Sequence, residues 1–208
     1  MITLEAGKDN IRIRKAIIDD AEALVDIYAY YIEKTAISFE YEVPQLEEFQ
    51  ERISNTIAKY PYLVILHDER IVGYAYAGPL KKRAAYDKSV EVTIYIAHNA
   101  RKCGFGRKLY EALEIELKRM GILNLYACIA YPEENDEYLT KNSEQFHRHM
   151  GYEQVGRFHR CGCKFGKWYD IIWMEKMIGE HKFLYTNLQD KKGIYEVRKG
   201  KSTYNEIL

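Results

Sequence analysis

Several features that mark whole classes of protein are missing from this 208-residue sequence. Its 31 basic and 31 acidic residues cancel, so no overall field attracts nucleic acid or an anionic membrane surface. No apolar run approaches the roughly 20 residues that a membrane-spanning helix needs, and no charged-then-apolar signal opens the chain. We therefore expect a cytoplasmic protein that binds neither nucleic acid nor a membrane.

Cysteine is also scarce, and its spacing argues against metal binding. The chain lacks the paired C-x-x-C spacing of zinc sites, and its four cysteines are Cys103, Cys128, Cys161 and Cys163. We expect no metal, no disulfide and the reduced thiols of a cytoplasmic protein.

Strand-like and helix-like segments alternate through most of the chain, whose 47% hydrophobic content suffices for one sizeable core. The predicted strands are 11–14, 62–66, 71–77, 90–96, 123–130, 152–160 and 168–176, and the predicted helices are 19–33, 45–58, 109–120 and 142–149. This order predicts one α/β domain, residues 1–178, with helices on both faces of a mixed sheet. Residues 179–208 form a charged C-terminal extension, with short strands at 183–185 and 194–197 or no order at all.

A basic glycine loop between a strand and a helix is the most informative local pattern. Residues 101–108 read Arg-Lys-Cys-Gly-Phe-Gly-Arg-Lys, after a β-branched strand and before an amphipathic helix. Gly104 and Gly106 permit a tight turn, and free N–H groups at a helix N-terminus attract an anion. The spacing fits neither a P-loop nor a dinucleotide fingerprint, since Leu109 stands where the latter needs glycine. The pattern predicts a cradle for a diphosphate.

The R-x-x-G-x-G spacing resembles the pyrophosphate loop of the GCN5-related N-acetyltransferases (GNAT), which use acetyl-CoA. Further segments resemble the phosphinothricin acetyltransferase branch of that superfamily, in this order: 37–40, 83–87, 90–96, 127–132, 142–143, 146–147, 150–152 and 164–170. The resemblance covers residues 11–178, and only the acidic loop 132–141 departs from the shorter family pattern. It implies a GNAT-type acyl-CoA N-acyltransferase fold, a mostly antiparallel mixed sheet flanked by helices, and a homodimer.

The resemblance also implies catalytic roles for Glu91 and His147. Attack on an acetyl thioester needs a neutral amine, so a base must reach the nitrogen directly or through one water. Glu91 is a carboxylate within an apolar strand, where burial would raise its pKa; the alternative is a carboxylate on the polar face of the strand. His147 is either a proton donor or a substrate ligand, or else a surface histidine beside Arg148 and His149.

The remaining site residues follow from the same resemblance. The main chain of Ile94, Tyr95 and Ile96 would bind the pantetheine arm, and Asn142 would bind that arm or cap its helix. The diphosphate would lie on Arg101, Lys102, Cys103, Gly104, Phe105, Gly106 and Arg107. The acceptor would contact Phe39, Arg83 and Tyr86, with Arg83 facing an anionic group, and the hairpin residues 164–168 would wall the pocket.

The resemblance as a whole implies an acetyl-CoA-dependent N-acetyltransferase. The resemblance implies direct transfer in a ternary complex to the amino group of a small amino-acid-like molecule of the phosphinothricin, methionine sulfone or methionine sulfoximine type. Glu91 would act as general base through water, and the strand backbone would polarise the thioester carbonyl. Two alternatives stay open: another amine acceptor, such as a protein N-terminus, a polyamine or an aminoglycoside, and a non-catalytic acyl-CoA-binding module.

Overall fold

A computed structural model of the protein describes residues 10–182. The strands expected at 183–185 and 194–197 lie outside the described residues, and the division into residues 1–178 and 179–208 stays a prediction.

Within this range the chain forms a seven-stranded sheet. The strands are β1 (Ile11–Lys15), β2 (Tyr62–His67), β3 (Arg70–Pro79), β4 (Ser89–Ile96), β5 (Asn124–Tyr131), β6 (Glu153–Lys164) and β7 (Lys167–Met177). Their spatial order is β1-β2-β3-β4-β5-β7-β6, and every neighbouring pair is antiparallel except β4–β5. The mostly antiparallel mixed sheet predicted from the sequence is confirmed.

Helices cover both faces of the sheet, as predicted. They are α1 (Ala21–Lys34), α2 (Leu46–Ile57), α3 (Phe105–Arg119) and α4 (Asn142–His149). The strand β2 shows why two layers are needed, because it is buried on both faces: Val64 packs into the core under α1 and α2, and Ile65 packs into the core under α3. Alternate residues of a strand face opposite sides, so each face of the sheet requires its own helical cover.

The boundaries of α3 differ from prediction at one end only. The helix begins at Phe105 rather than Leu109, because Gly104 adopts a left-handed conformation (φ 78°) and serves as the N-cap. Half of the predicted loop is therefore the first turn of the helix. At the other end Gly121 (φ 72°) stops the helix as expected, and the Ile122 N–H donates to the Leu117 carbonyl at 3.1 Å.

Two departures from regular sheet geometry shape one end of the molecule. The parallel pair β4–β5 holds together only over Ser89, Val90 and Glu91, after which the two strands separate. The strand β6 runs to Lys164 rather than ending at residue 160, with a bulge between Phe158 and Gly162. The separation of β4 and β5 opens a cleft, and Gly162, at the end of the bulge, lies against Phe39, which lines that cleft.

Candidate active site

A cleft of about 380 Å³ opens where β4 and β5 separate. Its walls come from the α1–α2 loop, from β3, β4 and β5, and from α3 and α4. The lining residues are Ile37, Ser38, Phe39, Glu40, Tyr76, Glu91, Val92, Thr93, Ile94, Tyr95, Tyr110, Ala127, Cys128, Ile129, Ala130, Ser143 and His147.

The separated part of β4 turns main-chain groups toward this opening. The Ala97 N–H donates to the Val72 carbonyl at 2.8 Å, so the alternation of an antiparallel ladder directs the main chain of Tyr95 toward β3. The main chains of Ile94 and Ile96 then face the opening. The main chain of Ile96 already has a partner, however, because the Tyr31 hydroxyl donates to the Ile96 carbonyl at 2.6 Å. Of the three residues expected to bind pantetheine through the main chain, Ile94 is the one that presents such groups to the cleft.

Glu91 lies half-buried in the cleft wall, at the last residue of β4 that pairs with β5. Burial raises the pKa of its carboxyl above the ordinary value, and the positive charge of Lys81 partly opposes that rise. The cleft contains a second carboxylate, that of Glu40, but the Arg52 guanidinium binds it with Nη1 at 2.8 Å from Oε1. Glu91 is therefore the carboxylate of the cleft better suited to accept a proton.

His147 is buried, with 3% of its surface exposed, so the surface alternative is wrong. Its Nδ1 lies 2.7 Å from the Ser143 carbonyl oxygen, which can only accept, so Nδ1 carries the proton. The Tyr110 hydroxyl then donates to Nε2 across 3.0 Å. Burial lowers the pKa of His147 to about 4, which makes the imidazole neutral at neutral pH.

Tyr110 itself is a site residue that the sequence did not indicate. It is buried beside Leu109 in α3, and its hydroxyl reaches the cleft wall, where it fixes the His147 ring. A polar aromatic residue next to the apolar stripe of a helix was the available signal, but such a residue is commonly plain core.

The glycine loop has the properties of an anion cradle. The Arg101 guanidinium lies over the Tyr31 ring at 4.9 Å, and its Nη2 is a buried atom without a hydrogen-bond partner in residues 10–182. A buried unpaired guanidinium nitrogen is costly, so an anionic group placed beside it would be stabilising. Gly106 has a packing role as well, because a Cβ there would lie 3.3 Å from the Phe146 ring. Lys102, Cys103, Gly104 and Arg107 are exposed around the turn, and Phe105 is buried beneath it.

Besides Ile96 and the residues of the glycine loop, three predicted site residues do not line the cleft. Arg83 and Tyr86 are exposed on the turn before β4, and neither is among the lining residues. Asn142 is the exposed first residue of α4, whereas Lys141 is the N-cap, so the capping alternative is wrong. Its neighbour Ser143 lines the cleft instead. Phe39 does line the cleft, as expected for an acceptor contact.

The described part of the chain holds no group of three or more His, Cys, Asp or Glu side chains that could bind a metal ion. All four cysteines are free thiols. From Asn10 to Lys182, no helix is long and apolar enough to cross a bilayer.

Comparison with known proteins gives consistent matches. Residues 13–173 match the acetyltransferase (GNAT) domain family. The phosphinothricin N-acetyltransferase of Streptomyces viridochromogenes is 34% identical over 161 residues, which cover 77% of this chain and 84% of that relative. An L-methionine sulfoximine/L-methionine sulfone acetyltransferase of Salmonella typhimurium is 30% identical over 59% of this chain and 67% of its own. The crystal structure of a phosphinothricin acetyltransferase from Sinorhizobium meliloti in complex with acetyl-CoA superposes with a TM-score of 0.75, at 28% identity, over 90% of this chain and 96% of that chain.

Proposed function

This chain belongs to the GNAT acetyltransferase family, and we propose that it transfers the acetyl group of acetyl-CoA to the amino group of a small amino-acid-like acceptor. Acetyl-CoA supplies an activated thioester and a diphosphate that needs cationic and N–H partners. Similar proteins named for phosphinothricin and methionine sulfoximine support the acceptor class.

The observation that carries this proposal is the Glu91 carboxylate in the wall of the cleft, where β4 leaves β5. An acceptor amine arrives mainly as ammonium, which cannot attack a thioester. With a raised pKa, Glu91 is a stronger base than an ordinary glutamate, and it takes the proton from the nitrogen through one water. A module that only bound acyl-CoA would need the glycine loop but not this carboxylate.

The residues that would hold acetyl-CoA lie on one path along the site. The N–H groups of the first turn of α3, together with the orphaned Arg101 guanidinium, suit the diphosphate. Main-chain groups of Ile94 face the opening and suit the pantetheine arm and the thioester carbonyl. Exposed Arg107 and Asn142 flank this path from α3 and α4.

His147 acts through Tyr110 in this proposal. A neutral imidazole whose only N–H is committed to the Ser143 carbonyl has no proton to give to a leaving thiolate. It holds the Tyr110 hydroxyl in one orientation instead, with the hydroxyl hydrogen directed at Nε2 and an oxygen lone pair left for the cleft. The thiolate takes its proton from water.

A panel of amines tests the acceptor class. Purified protein is assayed for thiol release from acetyl-CoA with phosphinothricin, methionine sulfone, methionine sulfoximine, ordinary amino acids, spermidine, an aminoglycoside and a short peptide with a free N-terminus. We expect the highest kcat/KM with one of the first four. A preference for spermidine, the aminoglycoside or the peptide would replace the proposed acceptor, and no turnover with any amine while acetyl-CoA still binds would favour the binding-module alternative.

The family resemblance further supports a homodimer and a cytoplasmic location. Light scattering tests the dimer, for which the expected mass is twice that of one chain.

A further inference from the structure

We propose that Gly162 determines the size of acceptor that the cleft accepts, because it allows the Phe39 ring to pack closely against β6 as one wall of the pocket. The inference rests on the proposed function, since it concerns the acceptor side of that site.

The contact between these two residues is unusually close. A Cβ at Gly162 would lie 2.0, 2.5 and 2.6 Å from three carbons of the Phe39 ring, all well inside contact distance. The backbone at Gly162 is not in the left-handed region, so it does not need glycine for its conformation. The absence of a side chain at this position therefore serves the ring of Phe39, which lines the cleft on its other side.

The loop that carries Phe39 cannot easily retreat from β6. Lys164, at the end of that strand, is 2% exposed, and its Nζ donates to the carbonyls of Ile32 and Ser38 at 2.7 Å each. The Tyr41 hydroxyl donates to the Cys163 carbonyl. The Ser38 carbonyl before Phe39 and the Tyr41 side chain after it are thus both bound to β6, and Lys164 and Tyr41 act as positioning residues for this wall.

A larger residue at position 162 must therefore displace the ring rather than the loop. Because β6 lies on one side of the ring and the cleft on the other, the ring would move into the cleft and shorten the acceptor pocket. Acceptors with long side chains would lose affinity, whereas short ones and acetyl-CoA, which lies toward the glycine loop, would not.

The test compares Gly162→Ala with a matched control on the same strand. Gly156→Ala is the control, because a Cβ there would meet only the Trp173 Cβ at an ordinary 4.0 Å. Initial rates are measured with methionine sulfone as the long acceptor and alanine as the short one. We expect Gly162→Ala to lower the ratio of kcat/KM for methionine sulfone over alanine about 10-fold, mainly through KM, with the KM for acetyl-CoA unchanged. Gly156→Ala should keep the wild-type ratio.

A second variant links the effect to the ring. In a Phe39→Ala background, the change Gly162→Ala should no longer alter the ratio, since no ring remains to be displaced. If Gly162→Ala alone does not fold, Phe39→Ala should restore folding in the double variant. An unchanged ratio in Gly162→Ala, or an equal loss with and without the Phe39 ring, would overturn the inference. Failure of the wild type to acetylate any amine would instead refute the proposed function. In that case the melting temperatures of the two single variants and the double variant, compared with the wild type, would still test the contact between Gly162 and Phe39.

Discussion

The buried neutral state of His147 makes the stability of this protein depend on pH in a calculable way. In the unfolded chain the imidazole has its ordinary pKa of 6.5, whereas burial lowers the pKa to about 4 in the folded protein. Between these two values the unfolded chain binds a proton that the folded protein does not. The free energy of unfolding therefore falls as the pH drops from 6.5 toward 4. One pH unit corresponds to 1.36 kcal/mol, so the separation gives about 3 kcal/mol in total and about 2 kcal/mol between pH 7 and pH 4.5.

Urea denaturation at pH 7 and at pH 4.5 measures this contribution. His147→Gln removes the titrating group, so the variant should lose about 2 kcal/mol less than the wild type over that interval. His149→Gln, an exposed neighbour on the same helix, should behave as the wild type does. Carboxyl groups titrate in all three proteins, so their contributions to the loss of stability cancel in the comparison.

The same neutral state has a catalytic consequence. The pH profile of kcat should have no limb near pH 6.5 that depends on His147. Near that pH, the profiles of the wild type and His147→Gln should therefore have the same shape. If the wild type and His147→Gln lose equal stability between pH 7 and pH 4.5, the imidazole becomes protonated in the folded protein over that interval. That result would return His147 to the role of proton donor.

Three further results are expected. Glu91→Gln should lower kcat about 10²- to 10⁴-fold and remove the acidic limb of the pH profile of kcat, while acetyl-CoA still binds. Lys81→Met should shift that limb to higher pH, because it removes the positive charge that opposes the raised pKa of Glu91. The control Lys82→Met should leave the limb where it is. Acetyl-CoA at a hundredfold excess over its Kd should stabilise the fold by about 2.7 kcal/mol, and Gly104→Asp should abolish that stabilisation in thermal denaturation, since it places a like charge against the diphosphate. Arg83→Ala should raise the KM of an anionic acceptor much more than that of acetyl-CoA, and equal changes in steady-state kinetics would contradict a role in acceptor binding.

The sequence predicted well those features that short stretches of chain determine. β-Branched residues before the glycines and an amphipathic pattern after them define a strand, a turn and a helix within about twenty residues. Gly104 and Gly121, at the two ends of α3, both adopt the left-handed conformation that glycine tolerates best. The start of α3 was predicted one turn late, because Phe105 is the sole apolar residue of its first turn and is followed by Gly106 and two basic residues, which lack the apolar spacing used to recognise a helix.

Features that depend on distant segments could not be predicted in the same way. His147 lies between Phe146 and Arg148 in a short, polar helix, and nothing local shows that its ring packs on Tyr110 and Tyr152. The pairing of Phe39 with Gly162 joins residues far apart in sequence, through a bulge in β6 that no pattern of alternation indicates. Burial and ring contacts of this kind arise from tertiary packing.

The position of Glu91 joins the local and the distant effects. Glu91 is in register with Gly78 of β3 on one side and Tyr126 of β5 on the other, so the backbone under the carboxylate lies between two neighbouring strands. Further along β4 the pairing with β5 has ended, and the main-chain groups of Ile94 become available to a ligand. A base must be held to within about 0.5 Å of its productive position, whereas a binding strand must leave donors and acceptors unpaired. The end of the β4–β5 pairing at Glu91 meets both requirements within a few residues of one strand.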